Sequence, residues 1–453
     1  MVERVLAPLW RTGLGWWILF AIAAAGTLLL GFGLTYSLAV GTGVWGNNIP
    51  VAWAFPIINF VWWIGIGHAG TFISAFLLLL DQRWRAAVSR LAETMTLFAL
   101  VNAAMFPLLH LGRPWFGYWL IPYPATMSVW PNFKSSLPWD VAAIFTYFTV
   151  SVLFWYLGLV PDLATVRDDA RRRRQRLVYG VLALGWTGSA TEWRQRGAAL
   201  AIIAGLAAPL VISVHSIVSL DFSIAQLPGW HSTLFPPYFV IGAIYSGLAM
   251  VLVLAVLVRR AYALHDVITD DVLDRLAKLA LVTALLLAYC YVVELFIAWY
   301  SADPHERSQY FVHRWREPLP FAVIYWLMLA LNLVTPQLFW FSGLRRNKLV
   351  LLVAGCVILV GMWLERFVII VGSLSHDFLP SSWGGYTPTW VDLSILAGSL
   401  GLFGLLYLLF LRFLPLAALS EIRAGRFLVG NRDPSRASRP KASIATGDNN
   451  ERR

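Results

Sequence analysis

The sequence predicts an all-α, polytopic membrane protein with about ten transmembrane helices. Hydrophobic residues make up 59% of the 453 residues, whereas charged residues make up only 13%. A soluble domain of this length cannot bury so much apolar side-chain surface, because surface area shrinks too slowly with size. Apolar segments of about 20 residues recur along the chain instead, and each is long enough to cross a bilayer as a helix.

Ten such segments divide the chain and are called spans 1 to 10. Span 1 is longer than the apolar region of a secretory signal and has no clear cleavage site, so we expect it to be retained as a helix. The spans are predicted at residues 14–36, 52–80, 91–111, 138–161, 197–219, 236–258, 276–300, 320–340, 346–372 and 390–414.

Arginine and lysine concentrate in alternate loops, and this pattern predicts the orientation of the chain. The basic side carries the arginine run at 171–174, the segment RRNK at 345–348 and the tail after Pro415. Because basic residues favour the cytoplasmic side, both termini are predicted to be cytoplasmic. The same partition explains the formal net charge of +11 without a nucleic-acid partner. The run at 171–174 is expected to be solvated, or to contact lipid headgroups or a partner.

The cysteine content excludes several kinds of metal centre. The two cysteines, Cys290 and Cys356, both lie inside spans, and the sequence has no CxxC and no CxxCH segment. Iron–sulfur ligation, structural zinc and covalent haem attachment are therefore not expected. The sequence predicts no metal site.

Histidine and aspartate recur at the outer helix ends that this orientation defines. Span 3 ends in FPLLHLGRPW, which holds His110 and Arg113, and span 4 begins with Asp140. Span 5 carries His215 shortly before Asp221. An aromatic belt at the membrane interface explains the tryptophans of the outer loops but does not require these titratable groups. A shared pocket near the outer leaflet explains both.

A quinol is a substrate that suits such a pocket. Its ring and isoprenoid tail favour an apolar, aromatic slot, and its two hydroxyls need groups that accept protons as electrons leave. A neutral imidazole and a carboxylate accept protons near neutral pH. His110 and Asp140 are therefore candidates for a catalytic pair, although each could instead stabilise the end of its helix.

The neighbouring polar residues have alternative roles. Arg113 could contact quinol, anchor at lipid headgroups or pair with a carboxylate. His215 and Asp221 could form a proton exit or tie down a loop. The remaining outer residues are interpreted as loop residues, and these are His376, Asp377, His231, His305 and His313.

Charged residues inside the spans are few. Glu294 lies in the outer half of span 7, and Glu365 and Arg366 are consecutive in span 9, where they point about 100° apart and are expected to face different neighbours. Such groups mark a proton relay or an interhelical ion pair, for instance Glu294 with Arg366. With His215 and Asp221, and with three charges at the inner edge, they are predicted to outline a proton path through the later spans. Three charges at the inner edge are expected to be interfacial: Asp81, Glu93 and Lys278.

Other functions fit parts of this pattern. A b-type cytochrome needs two histidines at matching depth. A rise of about 1.5 Å per residue places His68 near mid-membrane, His110 near the outer edge, and His215 nearer in depth to His110 than to His68. A secondary transporter favours inverted repeats and helices broken at the midplane, whereas Pro209 and Pro336 are isolated interruptions. A purely structural scaffold is a further alternative.

Four segments carry a family resemblance: NFVWWIGIGHAGTFISAFLLLL, FPLLHLGRPW, WDVAAIFTYFTVSVLFWYLGLVPDLATVRD and PGWHSTLFPPYFVIGAIYSGLAMVLVL. Over spans 2 to 9 the chain resembles the NrfD/PsrC family of quinone-interacting membrane subunits, and most closely the ActC subunit of alternative complex III. The resemblance implies two four-helix bundles, spans 2–5 and spans 6–9, with spans 1 and 10 peripheral. The corresponding units are residues 1–51, 52–235, 236–389 and 390–453.

The resemblance also implies a function. The chain would bind and oxidise quinol, either menaquinol or ubiquinol, on the periplasmic side of a bacterial inner membrane. His110 and Asp140 would act at the quinol, with Arg113 and His68 as further quinol-binding residues. The chain would hold no haem or iron–sulfur cluster of its own. Protons would be released to the periplasm, with or without translocation.

The resemblance implies partners as well. Electrons would pass to an extrinsic iron–sulfur or molybdopterin-like subunit of a respiratory or photosynthetic complex. A homologous membrane subunit, multihaem cytochromes c and lipids would be the other partners. The segment LIPYPATMSVWPNF, residues 120–133, is predicted to face the iron–sulfur cluster because it has few charges and rigid prolines.

Overall fold

The chain folds into a set of long helices. The structure, a computed structural model, describes residues 2–10, 12–120, 136–317 and 320–423. Within these ranges there is no strand, and ten helices are long and apolar enough to cross a membrane. The all-α fold and the ten predicted spans are confirmed, and each helix keeps its span number. Their bounds are Leu14–Val40, Phe55–Leu79, Ser89–His110, Ser136–Asp169, Ala190–Ser223, Phe235–Ala261, Asp270–Tyr300, Phe321–Trp340, Lys348–Ser375 and Trp390–Phe413.

Shorter helices lie between and beside the spans. They are Val2–Trp10, Arg173–Leu182, Pro304–Ser308 and Leu419–Arg423. The segment predicted to face an iron–sulfur cluster lies, apart from Leu120, outside the described residues, as does the basic tail beyond residue 423.

Spans 4 and 5 extend beyond their predicted bounds at the basic end. Span 4 continues to Asp169, and span 5 already begins at Ala190. Ser189 and Glu192 form a capping box, in which each side chain accepts a hydrogen bond from the other residue's backbone N–H, so the span 5 helix starts in polar sequence. Hydropathy detects the hydrocarbon-crossing part of a helix and misses such polar extensions.

The spans pack in two groups and a pair. Spans 2 to 5 contact one another and are called the first group. Spans 6 to 9 are called the second group, in which span 6 packs on spans 7 and 9, and span 8 packs against span 9. The two groups meet where span 6 packs against spans 2 and 5, and where span 9 packs against span 2. Spans 1 and 10 pack on each other, and span 10 also contacts spans 3 and 2. The residue boundaries of the four predicted units stay predictions.

Two prolines free carbonyl groups that side chains then bind. Proline has no N–H, so Pro336 leaves the carbonyl of Asn332 without its helical donor. The hydroxyl of Tyr245 donates to that carbonyl at 3.3 Å. Span 8 around Pro336 turns from α to π and 3-10 geometry over Ala330–Val334 and Thr335–Trp340. In span 4, Pro161 likewise frees the carbonyl of Leu157, which accepts from Nε of Arg196 at 2.9 Å.

A buried charge cluster lies at the basic end of the first group of spans. Arg90 is 2.8 Å from Asp162 and 3.4 Å from Glu93. Glu93, which was predicted to be interfacial, is only 5% exposed, because the protein encloses its carboxylate and pairs it with Arg90. Asp81 and Lys278 are exposed, and their interfacial position stays a prediction.

Candidate functional site

His110 lies at the end of span 3, and its surroundings are built by the turn that follows. The helix stops because Gly112 adopts a φ of +71°, and its N–H donates to the carbonyl of Leu109 at 2.9 Å. The imidazole is half-buried, and its Nδ1 atom is buried without a hydrogen-bond partner. Arg113, which follows Gly112 in the chain, is exposed.

Aromatic rings enclose the imidazole of His110. Trp45 stacks on it at a centroid distance of 6.1 Å, and Trp53 meets it edge-on at 6.2 Å. Trp53 in turn contacts Phe222 at 5.9 Å and Trp230 at 5.8 Å. The result is an aromatic wall that joins the loop after span 1 to the C-terminal end of span 5.

Asp140 and Asp221 form a pair of carboxyl groups in this region. Asp140 is 4% exposed, and its side chain interacts electrostatically with that of Asp221. One oxygen of each group is buried without a partner. Two neighbouring carboxylates repel each other when both are ionised, and such an arrangement favours one proton shared between them. The helix of span 4 begins at Ser136, so Asp140 lies in its second turn rather than at its cap.

The imidazole and the carboxyl pair occupy the same end of the first group of spans. Successive spans run in opposite directions, so the end of span 3, the start of span 4 and the end of span 5 coincide. The contacts connect His110 to the pair through Trp53 and Phe222, and Phe222 follows Asp221 directly in the chain. The three titratable groups therefore border one aromatic region.

His68 and His215 contact each other deeper in the helices. Their Nδ1 atoms are hydrogen-bonded, and the two rings are perpendicular with centroids 4.5 Å apart. Both are fully buried. The predicted grouping of His215 with His110 in depth is therefore wrong. Tyr147 donates to the carbonyl of His68 at 3.0 Å and packs on its ring.

Glu365 and Arg366 form a buried network in the second group of spans. Arg366 lies 2.7 Å from Glu365, although these residues were predicted to face different neighbours. Each also has a separate contact: Tyr291 donates to Glu365, and the Arg366 guanidinium lies over the ring of Phe239 at 4.4 Å. Asn332 donates to the Tyr291 hydroxyl at 3.0 Å.

Space for this ion pair depends on Gly242 in span 6. A Cβ atom at this position would lie 3.0 Å from Nη2 of Arg366 and 3.1 Å from the methyl group of Met362. A side chain larger than hydrogen would therefore press on the guanidinium.

Glu294 pairs with a residue that the sequence did not suggest. The Tyr310 hydroxyl donates to Glu294 at 2.5 Å, and Arg314 lies 3.4 Å from the same oxygen and over the Tyr310 ring at 4.0 Å. The suggested pair of Glu294 with Arg366 is wrong, because Arg366 is engaged by Glu365. Arg314 comes from the connection between spans 7 and 8, which the sequence assigned to an outer loop.

A cavity of about 340 Å³ opens beside Glu294. Tyr310, Glu306 and His231 also line it. The carboxylate of Glu306 accepts from the N–H of Gly229 at 3.0 Å, and burial raises the pKa of Glu306. Glu294 thus connects the interior of the second group of spans with the loops at one end of it.

Two histidines interpreted as loop residues are in fact buried. His313 is 6% exposed and His376 is 8% exposed, and their rings stack with centroids 4.0 Å apart. The interpretation of His376 as a solvated loop residue is wrong because the chain after span 9 turns inward against the connection before span 8. Sequence reasoning also missed Tyr147, Tyr291 and Arg314, whose roles follow only from contacts between distant segments.

Comparison with known proteins gives one family and two relatives. The family model for polysulphide reductase, NrfD, matches residues 43–376, which takes in spans 2 to 9. The chain is 26% identical over 425 residues to a Halobacterium salinarum protein provisionally named as a membrane subunit of dimethyl sulfoxide reductase, with 88% of this chain and 90% of that one covered. It is 22% identical over 373 residues to a selenate reductase subunit from Mesobacillus selenatarsenatis, with 78% and 83% covered.

Proposed function

Because this chain belongs to the NrfD family of polysulphide reductase membrane proteins, we propose that it is the quinol-oxidising membrane subunit of an oxidoreductase complex. Both relatives are named as reductase subunits, and a reductase needs an electron donor. A quinol dissolved in the bilayer can reach a site among the spans. The main support is that His110, Asp140 and Asp221 each present a buried, unpartnered polar atom at one aromatic-lined end of the first group of spans.

The proposed reaction converts quinol to quinone with loss of two protons and two electrons. The unpartnered Nδ1 of His110 accepts the proton of one hydroxyl, and the ionised member of the Asp140–Asp221 pair accepts the proton of the other. Trp45 and Trp53 hold the ring by stacking and exclude water. The electrons pass to an extrinsic iron–sulfur or molybdopterin-like subunit, and Arg113 orients the headgroup from the rim.

The buried groups of the second group of spans are proposed to carry protons. Arg366 interacts electrostatically with His215, and His215 contacts His68. Tyr238 interacts electrostatically with both Glu365 and Glu294, and so links the Arg366–Glu365 pair to Glu294. Charged and hydroxyl groups at membrane depth are typical of proton relays. In this scheme His68, which was predicted to bind quinol, is instead a member of the proton relay. It lies about 20 Å along span 2 from Phe55, the residue at which that helix begins.

The finer assignments form part of the same proposal. We place the quinol site on the periplasmic side of a bacterial inner membrane, with both termini cytoplasmic, because the basic loops lie at the opposite end. An assembly of the alternative complex III type, with a homologous membrane subunit and multihaem cytochromes c, rests on the resemblance of the four segments alone. A complex with a single extrinsic reductase is the simpler arrangement that the names of the relatives suggest.

Quinone binding by the purified complex tests the aromatic site. Trp53→Leu removes the ring that joins His110 to Phe222, and loss of such ring contacts, about 0.5–1.5 kcal/mol, is expected to raise the Kd of a short-chain quinone about two- to tenfold. Equilibrium dialysis against the quinone measures this. The control is Trp193→Leu, which changes a ring that packs on Trp186 near the opposite end of span 5 and should leave the Kd unchanged. Equal affinities of the wild type and Trp53→Leu would place the quinone elsewhere.

A further inference from the structure

We propose that His313, Glu317 and His376 form a binding site for a divalent transition-metal ion, with zinc the best match to the donors. The three side chains offer one ligand atom each, and these atoms lie within 4.8 Å of one another. None of them takes part in the quinol site or the proton relay proposed above. The site lies between the connection that precedes span 8 and the segment that follows span 9.

The distances suit a shared ion. One oxygen of Glu317, Oε2, lies 3.0 Å from Nε2 of His376 and 3.4 Å from Nδ1 of His313. Zinc binds imidazole nitrogen and carboxylate oxygen at about 2.0–2.2 Å, so tetrahedral ligand atoms lie about 3.3–3.5 Å apart. The two nitrogen–oxygen distances are therefore close to those of a loaded site, and all three ligand atoms lie within 4.8 Å of one another.

The hydrogen bonding of the cluster is incomplete in the way that an absent cation explains. Nε2 of His376 hydrogen-bonds to Oε1 of Glu317 at 3.1 Å. Nδ1 of His313 and the other carboxylate oxygen, Oε2 of Glu317, face each other and are both buried without a hydrogen bond. The other nitrogen of His313, Nε2, lies 3.1 Å from the Ser308 hydroxyl. If Nε2 carries the ring proton and donates it to Ser308, Nδ1 presents a lone pair to the carboxylate, and a cation between them removes that repulsion.

The donor set selects the class of ion. Two imidazoles and one carboxylate favour zinc and other late first-row metals over magnesium and calcium, which prefer oxygen ligands. The side chain of Glu317 is 30% exposed, which gives an entry path and leaves a fourth position for water. Trp383 packs against both imidazoles, at centroid distances of 4.8 Å and 5.1 Å.

An ion at this place would fasten two connections of the second group of spans. His313 follows Tyr310 closely in the chain, and His376 precedes Phe378, and both Tyr310 and Phe378 line the cavity beside Glu294. A bound ion would therefore fix one wall of the cavity and raise the thermal stability of the complex.

Metal content of the purified complex tests the site. After removal of metal with a chelator, the complex is incubated with Zn²⁺ alone, passed over a desalting column and analysed for zinc per chain, and its Tm is recorded with and without Zn²⁺. We expect one zinc per chain and a higher Tm in the wild type. His376→Gln and Glu317→Gln should each lose the bound zinc and the rise in Tm.

Two further variants separate a metal site from a structural cluster. Ser308→Ala keeps the three ligands and should weaken zinc affinity by roughly tenfold, as expected for a group that orients a ligating histidine. His231→Gln, an exposed histidine outside the cluster, should behave as the wild type. If the wild type and the folded Glu317→Gln variant hold the same amount of zinc, the proposal is overturned, and the three residues form a hydrogen-bonded cluster without an ion.

Discussion

Replacing Asp140 by asparagine is expected to slow quinol oxidation by the purified complex by a factor of about 10²–10⁴, the usual contribution of a positioned proton acceptor. The substitution keeps the volume of the side chain and its contact with Asp221, but it removes an acceptor from the pair. His110→Gln should cause a loss of similar size, because Nδ1 of His110 is the unpartnered acceptor on the other side. Initial rates at saturating quinol measure both effects.

Binding data and a control define what these rates mean. The Kd for quinone should change far less than the rate in Asp140→Asn, because the variant loses proton transfer and keeps the aromatic wall. Asp377→Asn replaces a carboxylate beyond the end of span 9 and should oxidise quinol at the wild-type rate. Wild-type rates in both Asp140→Asn and His110→Gln would show that neither group accepts a proton from quinol.

Arg366→Leu is expected to be the most destabilising single substitution in the second group of spans. It leaves the Glu365 carboxylate, which is fully buried, without its cation, and removing one partner of a buried ion pair typically costs about 3–5 kcal/mol. The free energy of unfolding in detergent is the quantity to compare. Arg174→Leu, which removes an exposed arginine, should change it by less than about 0.5 kcal/mol.

A double variant identifies the origin of this loss. Adding Glu365→Gln to Arg366→Leu removes the uncompensated charge and should recover part of the stability. If the double variant is as unstable as the sum of the two single variants, the 2.7 Å contact contributes no coupling. Glu365→Gln alone also tests the relay. In liposomes it should lower proton release while the complex stays folded. Unchanged turnover and proton release would exclude Glu365 from the proton path.

The spans themselves could be predicted from the sequence because bilayer thickness dictates their length and composition. The relative depths of residues on different spans could not be predicted from the sequence. His215 lies eight residues before the end of its helix at Ser223, whereas the hydropathy boundary at residue 219 placed it nearer the surface. Counting from a boundary that is several residues short shifts the estimated depth by about 6 Å, enough to hide the contact with His68.

The partners of the buried charges also could not be predicted from the sequence. Glu365 and Arg366 stood out because charged residues are rare at membrane depth. The partner of Glu294 is Arg314, however, which comes from a connecting segment that folds back against span 7. Periodicity describes which face of a helix is polar but not which loop covers it. His313 and His376 illustrate the same limit, since segments more than 50 residues apart bring them into contact.

A structure of the assembled complex with bound quinone tests the central claim most directly. The proposed site predicts one quinone oxygen within about 2.7–3.2 Å of Nδ1 of His110 and the other within the same distance of the Asp140 carboxyl, with the ring against Trp53. A headgroup bound instead at the opposite end of the spans, beside Arg90 and Glu93, would contradict it.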